Sequence, residues 1–196
     1  MQAAKKTVFT EDEYLALEYA SRTKHEFFDG RIVAMAGGTL DHSTIAGNII
    51  TALNQALRGR PCRVLNSDMR VNIAATTRYT YPDISVVCGE ARFSERDKNA
   101  LINPVVIIEV LSESTEHYDL GSKLSDYHRI PSLKAFLAVD TKTRRIEHHQ
   151  RVEVGRWMVE WVEDEGEVPI ACLETSLSLA DVYAKIDLIK TTDTAS

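Results

Sequence analysis

Two carboxylic acids and one amine stand in this chain where they could act on a phosphodiester. Asp83 follows Pro82 and opens the apolar run Ile84-Ser85-Val86-Val87, Glu109 lies inside Val105-Val106-Ile107-Ile108-Glu109-Val110-Leu111, and Lys123 falls on the next expected helix. An ionised carboxylate in a strand that is apolar on both faces is costly to desolvate unless a cation, a metal or good hydrogen bonds compensate it. Phosphodiester hydrolysis needs neutralised phosphate charge, an activated water and help for the leaving oxygen, most of which one or two Mg²⁺ ions supply. Magnesium takes hard oxygen ligands and keeps several waters, so one or two carboxylates with an open face suffice. Asp83 and Glu109 meet that requirement as metal ligands, for Mg²⁺ or for Mn²⁺ in its place. Two carboxylates about 4 Å apart repel by roughly 4 kcal/mol at an effective dielectric of 20, and a divalent ion removes that penalty.

Each residue also has a plainer reading. Asp83 is a turn former that bonds local amides. Glu109 is a strand-end acid paired with an arginine. Lys123 stands four residues after Asp119 and makes a helix-surface ion pair worth a few tenths of a kcal/mol.

The elements that must position these residues follow from periodicity and punctuation. Thr10 and Glu13 form a capping box at the head of a helix over residues 11–20. Glu26-Phe27-Phe28 and Arg31-Ile32-Val33-Ala34-Met35 flank Asp29-Gly30, a pair suited to a tight hairpin turn. Gly37-Gly38 ends that hairpin and Asp41 caps a longer helix whose stripe is Ile45, Ile49, Leu53 and Leu57. Strands are expected at 62–65, 69–73, 83–88, 105–111, 135–139, 145–151 and 157–162. A helix capped by Asp119 is expected to run through Arg129, with Leu124 and Tyr127 inward. The C-terminal third reads as a β meander with a short closing element at Leu177–Tyr183, and about residues 1–8 and 190–196 are expected to fray. The order predicts one α/β domain over 1–196, a mixed β-sheet flanked by helices with an extra N-terminal hairpin.

At 196 residues the chain can bury roughly 70% of its unfolded surface without a disulfide staple. Its three cysteines, Cys62, Cys88 and Cys172, include no C-x-x-C pair and read as reduced thiols of a cytoplasmic protein. No secretory core or membrane-length apolar run is present. A formal charge of -6 gives no general attraction to a polyanion. Local basic clusters at Arg58, Arg60 and Arg63, at Arg92, Arg96 and Lys98, and at Lys142, Arg144 and Arg145 read as solvated loops and helix ends. Tyr79, Tyr81 and Trp157 could stack on bases if they lined the mouth of a site.

Pro82-Asp83, then Glu109 in an apolar strand with a lysine nearby, resembles the PD-(D/E)XK nuclease superfamily, whose restriction-endonuclease-like core binds Mg²⁺ through the two acids. The segments EFFDGRIVAMAGGT, YPDISVVCG, NPVVIIEVLSEST and SKLSDYHRIPSLKAFLAVD are similar to a bacterial restriction-endonuclease-like family left as a domain of unknown function, from about Phe9 to Tyr183. In one respect the chain departs from the superfamily: Leu111 stands where the lysine belongs, two residues after Glu109. The resemblance moves that role to Lys123 on the following helix. It also implies that Glu26 is an additional catalytic carboxylate and that His42 touches substrate phosphate or a metal-bound water, where plainer readings are a cross-strand pair of Glu26 with Arg31 or a neighbour and a helix-start histidine satisfied by Asp41 or backbone. The resemblance implies a Mg²⁺-dependent endonuclease cutting DNA, and two-fold DNA symmetry favours a homodimer. The alternative is a catalytically silent nucleic-acid or protein-binding module on a nuclease scaffold, and a third reading is a purely structural fold with a satisfied buried acid.

Overall fold

The structure is a computed structural model and describes residues 8–112 and 118–188. Apart from Val8, the ends expected to fray lie outside the described residues.

Thr10 and Glu13 cap α1 (Glu11–Ala20) reciprocally, each accepting the other's backbone N–H, at 3.3 and 2.8 Å. The hairpin of β1 (His25–Phe28) and β2 (Arg31–Ala34) turns through Asp29 and Gly30, at φ 48° and 70°. A Cβ on Gly30 would lie 2.6 Å from Val8 Cγ1, so the glycine also lets the N-terminal segment cross the turn. α2 (Leu40–Ala56) buries Ile45, Ile49 and Leu53 as expected. Its cap is Thr39 instead of Asp41: the Thr39 hydroxyl accepts the His42 N–H at 3.2 Å, and a residue already inside the first turn cannot serve as cap.

There follow β3 (Cys62–Asn66), β4 (Arg70–Ile73), β5 (Arg78–Thr80), β6 (Ile84–Cys88), β7 (Ala100–Leu101) and β8 (Val106–Val110). A π-helical turn, Asp119–Lys123, runs into α3 (Leu124–Tyr127), ending two residues before the expected Arg129. Then come β9 (Ala135–Val139), β10 (Arg145–Glu153), β11 (Arg156–Glu163), and the antiparallel pair β12 (Glu167–Ile170) and β13 (Thr175–Ser178), with a closing turn at Leu179–Val182. Six strands form a mixed sheet in the order β11-β10-β9-β8-β6-β3, parallel only between β8 and β9. A second sheet runs β2-β1-β5-β4-β7. The architecture is the mixed α/β one expected.

Alternation along β8 places the site. Val106, Ile108 and Val110 pack with Ile45, Ile49 and Leu53 of α2, whereas Ile107 joins Leu124, Tyr127 and Phe136 on the other face. Glu109 shares that second face with Ile107, which turns its carboxylate toward Tyr127 and Lys123.

The expectation of three reduced thiols is corrected. Cys62 and Cys88 face one another across β3 and β6 and form a disulfide, with Cα atoms 4.0 Å apart. The Gly89 N–H donates to Pro61 O at 2.6 Å, so the cysteines occupy a non-hydrogen-bonded pair, where opposing side chains approach most closely. Their separation of 26 residues conceals this, because only the register of the strands brings them together. Titration under non-reducing conditions is expected to find one thiol, Cys172, and reduction is expected to cost about 3 kcal/mol in urea unfolding, from the loop that the bond closes.

Candidate active site

Strand ends bring the acids together. The register Ile84↔Ile108 places Asp83 opposite Glu109 just where β6 begins, and Pro82 interrupts the backbone ladder there because it has no N–H to donate. Side chains take over from the ladder. Asp83 Oδ2 accepts the Val110 N–H at 2.8 Å, and Glu109 Oε2 accepts the Asp83 N–H at 3.3 Å. Asp83 thus bonds a remote amide, in contrast to the local turn of its plainer reading. His42 Nε2, from the first turn of α2, lies 3.2 Å from Asp83 Oδ2, so its partner is Asp83 and not Asp41. A Cβ on Gly38 would lie 2.6 Å from His42 Nδ1, so the absent side chain makes room for the imidazole.

Lys123 is the centre of this arrangement. Its ammonium is 2.9 Å from Glu109 Oε1, 3.1 Å from Asp119 Oδ1 and 3.2 Å from Glu26 Oε1, and all four residues are buried. The i,i+4 pair with Asp119 exists, but inside the molecule and with two further acids. Glu26 faces Val33 across the hairpin, so Arg31 is not its partner; it accepts bonds from the Thr80 hydroxyl and, at 2.8 Å, from Tyr118 Oη. The Tyr118 hydroxyl in turn accepts from Arg78, whose guanidinium is 2.5 Å from Asp126. Tyr127 donates to Glu109 Oε1 at 2.6 Å.

Three carboxylates surround one ammonium, and their proton affinities follow. Burial alone would lower the lysine's, but Glu109, Tyr127, Glu26 and Asp119 override it and hold Lys123 charged, well above its ordinary range. Burial would raise Glu26, yet Lys123 and the Thr80 and Tyr118 hydrogen bonds hold it below its usual value. Glu109 goes the other way: burial lifts it to about 8, Lys123 only partly opposes this, and Asp83 and Asp119 add repulsion. Lysine and glutamate in one contact both rise because a single ammonium divided among several acids leaves Glu109 short of positive charge. The hydrogen bond to Asp83 raises His42 against the effect of its burial.

The donor set suits a hard divalent ion sharing its coordination with water. Asp83 is 17% exposed, and its Oδ1 accepts no hydrogen bond among the described residues. Among the described residues Glu109 Oε2 carries only the long bond from Asp83. Among the described residues no group of three or more His, Cys, Asp or Glu side chains is arranged to hold a metal; a divalent ion on Asp83 and Glu109 would take its other ligands from water and substrate.

The aromatics singled out earlier are not available for stacking. Tyr79 and Tyr81 are buried with their hydroxyls on Glu11 and Glu18, and Trp157 lies between His128 and Arg151. Arg60, Arg96 and Arg145 are paired with Glu174, Glu11 and Glu163 on the surface. Thr80, Tyr118, Asp119 and Tyr127 escaped the reading for function. The one signal that could have found them is polarity within segments expected to be inward-facing.

Fold and cluster together define a restriction-endonuclease-like protein. The chain belongs to the Uma2 family, described as "Putative restriction endonuclease", whose model matches residues 11–181. Two uncharacterized proteins of Synechocystis sp. are similar. One, slr1290, is 37% identical over 148 residues, covering 76% of this chain and 77% of its own; the other, sll1609, is 34% identical over 159 residues, covering 81% and 90%. The crystal structure of "a putative nuclease belonging to DUF820" from Anabaena variabilis superposes with a TM-score of 0.72 at 20% identity, over 89% of this chain and 97% of that one, a likeness of fold.

Two outcomes follow for the protein in EDTA. Folded Glu109 keeps its proton to about 8, whereas an unfolded carboxyl loses it near 4.5, so the unfolded chain binds fewer protons in between. Stability is therefore expected to fall as pH rises through that window. Urea midpoints should show the fall in wild type and a shallower one in Glu109→Gln, the remainder coming from His42, whose stabilisation is present below 6.5 and lost above its raised value. Lys123→Met is expected to cost about 3 to 5 kcal/mol by the same measurement, because it strands buried carboxylates.

Proposed function

We propose that this chain is a metal-dependent endonuclease that hydrolyses DNA phosphodiester bonds, with Asp83 and Glu109 holding Mg²⁺ and Mn²⁺ able to replace it. The observation that carries this reading is the excess of carboxylate over cation around Asp83 and Glu109, with Lys123 2.9 Å from Glu109. A bound divalent ion would neutralise phosphate charge and lower the pKa of an attacking water.

The chain's own residues account for the rest. Glu109 is oriented by Tyr127 through its Oε1, which leaves Oε2 for the ion. Asp83, at the exposed edge of the cluster, meets the phosphate side. The Lys123 ammonium cannot readily lose its proton among three acids, so its part is electrostatic: it offsets negative charge growing on the pentavalent phosphorus. Glu26 holds that ammonium from the opposite side and keeps it within reach. His42, hydrogen-bonded to Asp83 and proton-rich because of it, is placed to donate to a phosphate oxygen. Cleavage of both strands would follow from a two-fold homodimer, and sedimentation as a monomer at assay concentration would count against that arrangement.

The silent-scaffold reading draws on the same contacts, since Lys123 already satisfies Glu109 in part. Calorimetric Mn²⁺ titration separates the two. Wild type is expected to bind with affinity rising from pH 6 to pH 8 as Glu109 gives up its proton, and Glu109→Gln to lose at least tenfold, following loss of a charged ligand. Asp83→Asn should abolish Mg²⁺-dependent cleavage of plasmid DNA while leaving the fold intact. Equal Mn²⁺ binding by wild type and Glu109→Gln, with no cleavage of any DNA form, would sink the endonuclease.

A further inference from the structure

Away from the acid cluster the surface carries two clefts, of about 230 and 460 Å³, that share Arg70, Tyr81 and Asn99 as a common wall. Each combines an exposed aromatic ring with an exposed cation: Tyr19, 57% exposed, with Arg22 in the first, and Phe93, 38% exposed, with Lys98 in the second. The remaining cations of the clefts are occupied. Lys24 is 2.6 Å from Asp68, and Arg70 is buried, 2.9 Å from Asp97. Arg22 and Lys98 enter none of the ion pairs found among the described residues, so their charge is available to a ligand.

A single exposed ring or lysine means little on any surface. Two rings astride one wall, each lining its cleft together with an unpaired cation, bring flat apolar faces and positive charge to one surface, and an unpaired nucleic-acid strand offers bases and phosphates to both. The Tyr19 ring is held in place, since its hydroxyl donates to Asp97 at 2.5 Å and the Arg70 guanidinium lies 5.6 Å from its centre. A base stacked in a duplex has no free face to offer such a ring, so the pattern selects single strands. The shared wall also leads to the acid cluster: the Tyr81 N–H donates to Glu26 Oε1 at 3.4 Å, the same oxygen that lies 3.2 Å from the Lys123 ammonium.

We propose that the two clefts hold an unpaired stretch of the nucleic-acid substrate, with bases on Tyr19 and Phe93 and phosphates at Arg22 and Lys98. The inference rests on the nucleic-acid part of the reading above and narrows the substrate to one with a single-stranded segment. The test is fluorescence anisotropy of a labelled 12-residue oligothymidylate and of a blunt duplex of equal length, in EDTA so that nothing is cut, at several salt concentrations. Wild type is expected to bind the single strand more tightly than the duplex, with Tyr19→Ala and Phe93→Ala each about tenfold weaker and Tyr19→Phe, which keeps the ring but loses its anchor on Asp97, between Tyr19→Ala and wild type. The double variant Arg22→Gln, Lys98→Gln should flatten the log–log salt slope by roughly 1.4. Thermal melting of each variant establishes that it is folded. Equal affinity of the alanine variants and wild type, preference for the duplex, or no binding of either probe overturns the proposal. Cleavage reports separately: tight single-strand binding by a wild type that cuts nothing with Mg²⁺ defeats the endonuclease and leaves the clefts standing.

Discussion

The buried ammonium of Lys123 is the interaction on which the centre of this molecule depends. Taking a charge out of water costs several kcal/mol, and the cost is met here only because Glu26, Glu109 and Asp119 reach it from β1, from β8 and from its own helical turn. Three distant stretches of sequence are thereby held to one point. The compensation is unequal, since one positive charge faces more acids than it can neutralise, and what is left over falls on Glu109 and Asp83. A site built this way is short of positive charge, the condition that the proposed metal ion would meet.

Tyrosine supports that balance. Tyr118 and Tyr127 donate to Glu26 and Glu109, and, further out, Tyr79 and Tyr81 donate to Glu11 and Glu18. Burial and the adjacent Glu109 keep the Tyr127 phenol protonated, so it remains a donor. Each ring adds apolar area while its hydroxyl satisfies a carboxylate, buried at Glu18, Glu26 and Glu109 and partly exposed at Glu11.

Much of this was legible in the sequence. The capping box at Thr10, the Asp-Gly hairpin, the stripe of α2 and the strand at Ala135–Val139 are local, and local signals carried them. Asp83 and Glu109 stood out because an acid beside or within an apolar strand conflicts with its surroundings. Lys123 drew notice as the amine that follows the two acids and took its role from the resemblance, while Glu26 and His42 came through the resemblance alone. The misses were matters of tertiary register. β5 spans three residues and carries a buried arginine, β7 spans two, and no periodicity can be read over such lengths. Asp119 and Asp41 lost their expected capping roles, the first to Lys123 and the second to Thr39. The pairing of Cys62 with Cys88 depended on which strands were neighbours, a property of the sheet and not of either segment.

The exchange between Asp83 and Glu109 links chemistry to architecture. Each carboxylate accepts an amide proton from the opposite strand just where the regular ladder stops, so the acids close the sheet as well as marking the candidate site. A lineage that gave up the reaction would still need an acceptor at both positions, an acid or its amide, because the amides at the ends of β6 and β8 would otherwise lose their partners. Asparagine or glutamine in a relative would therefore keep the seam alone, whereas acids kept at both positions would keep the seam and the chemistry together.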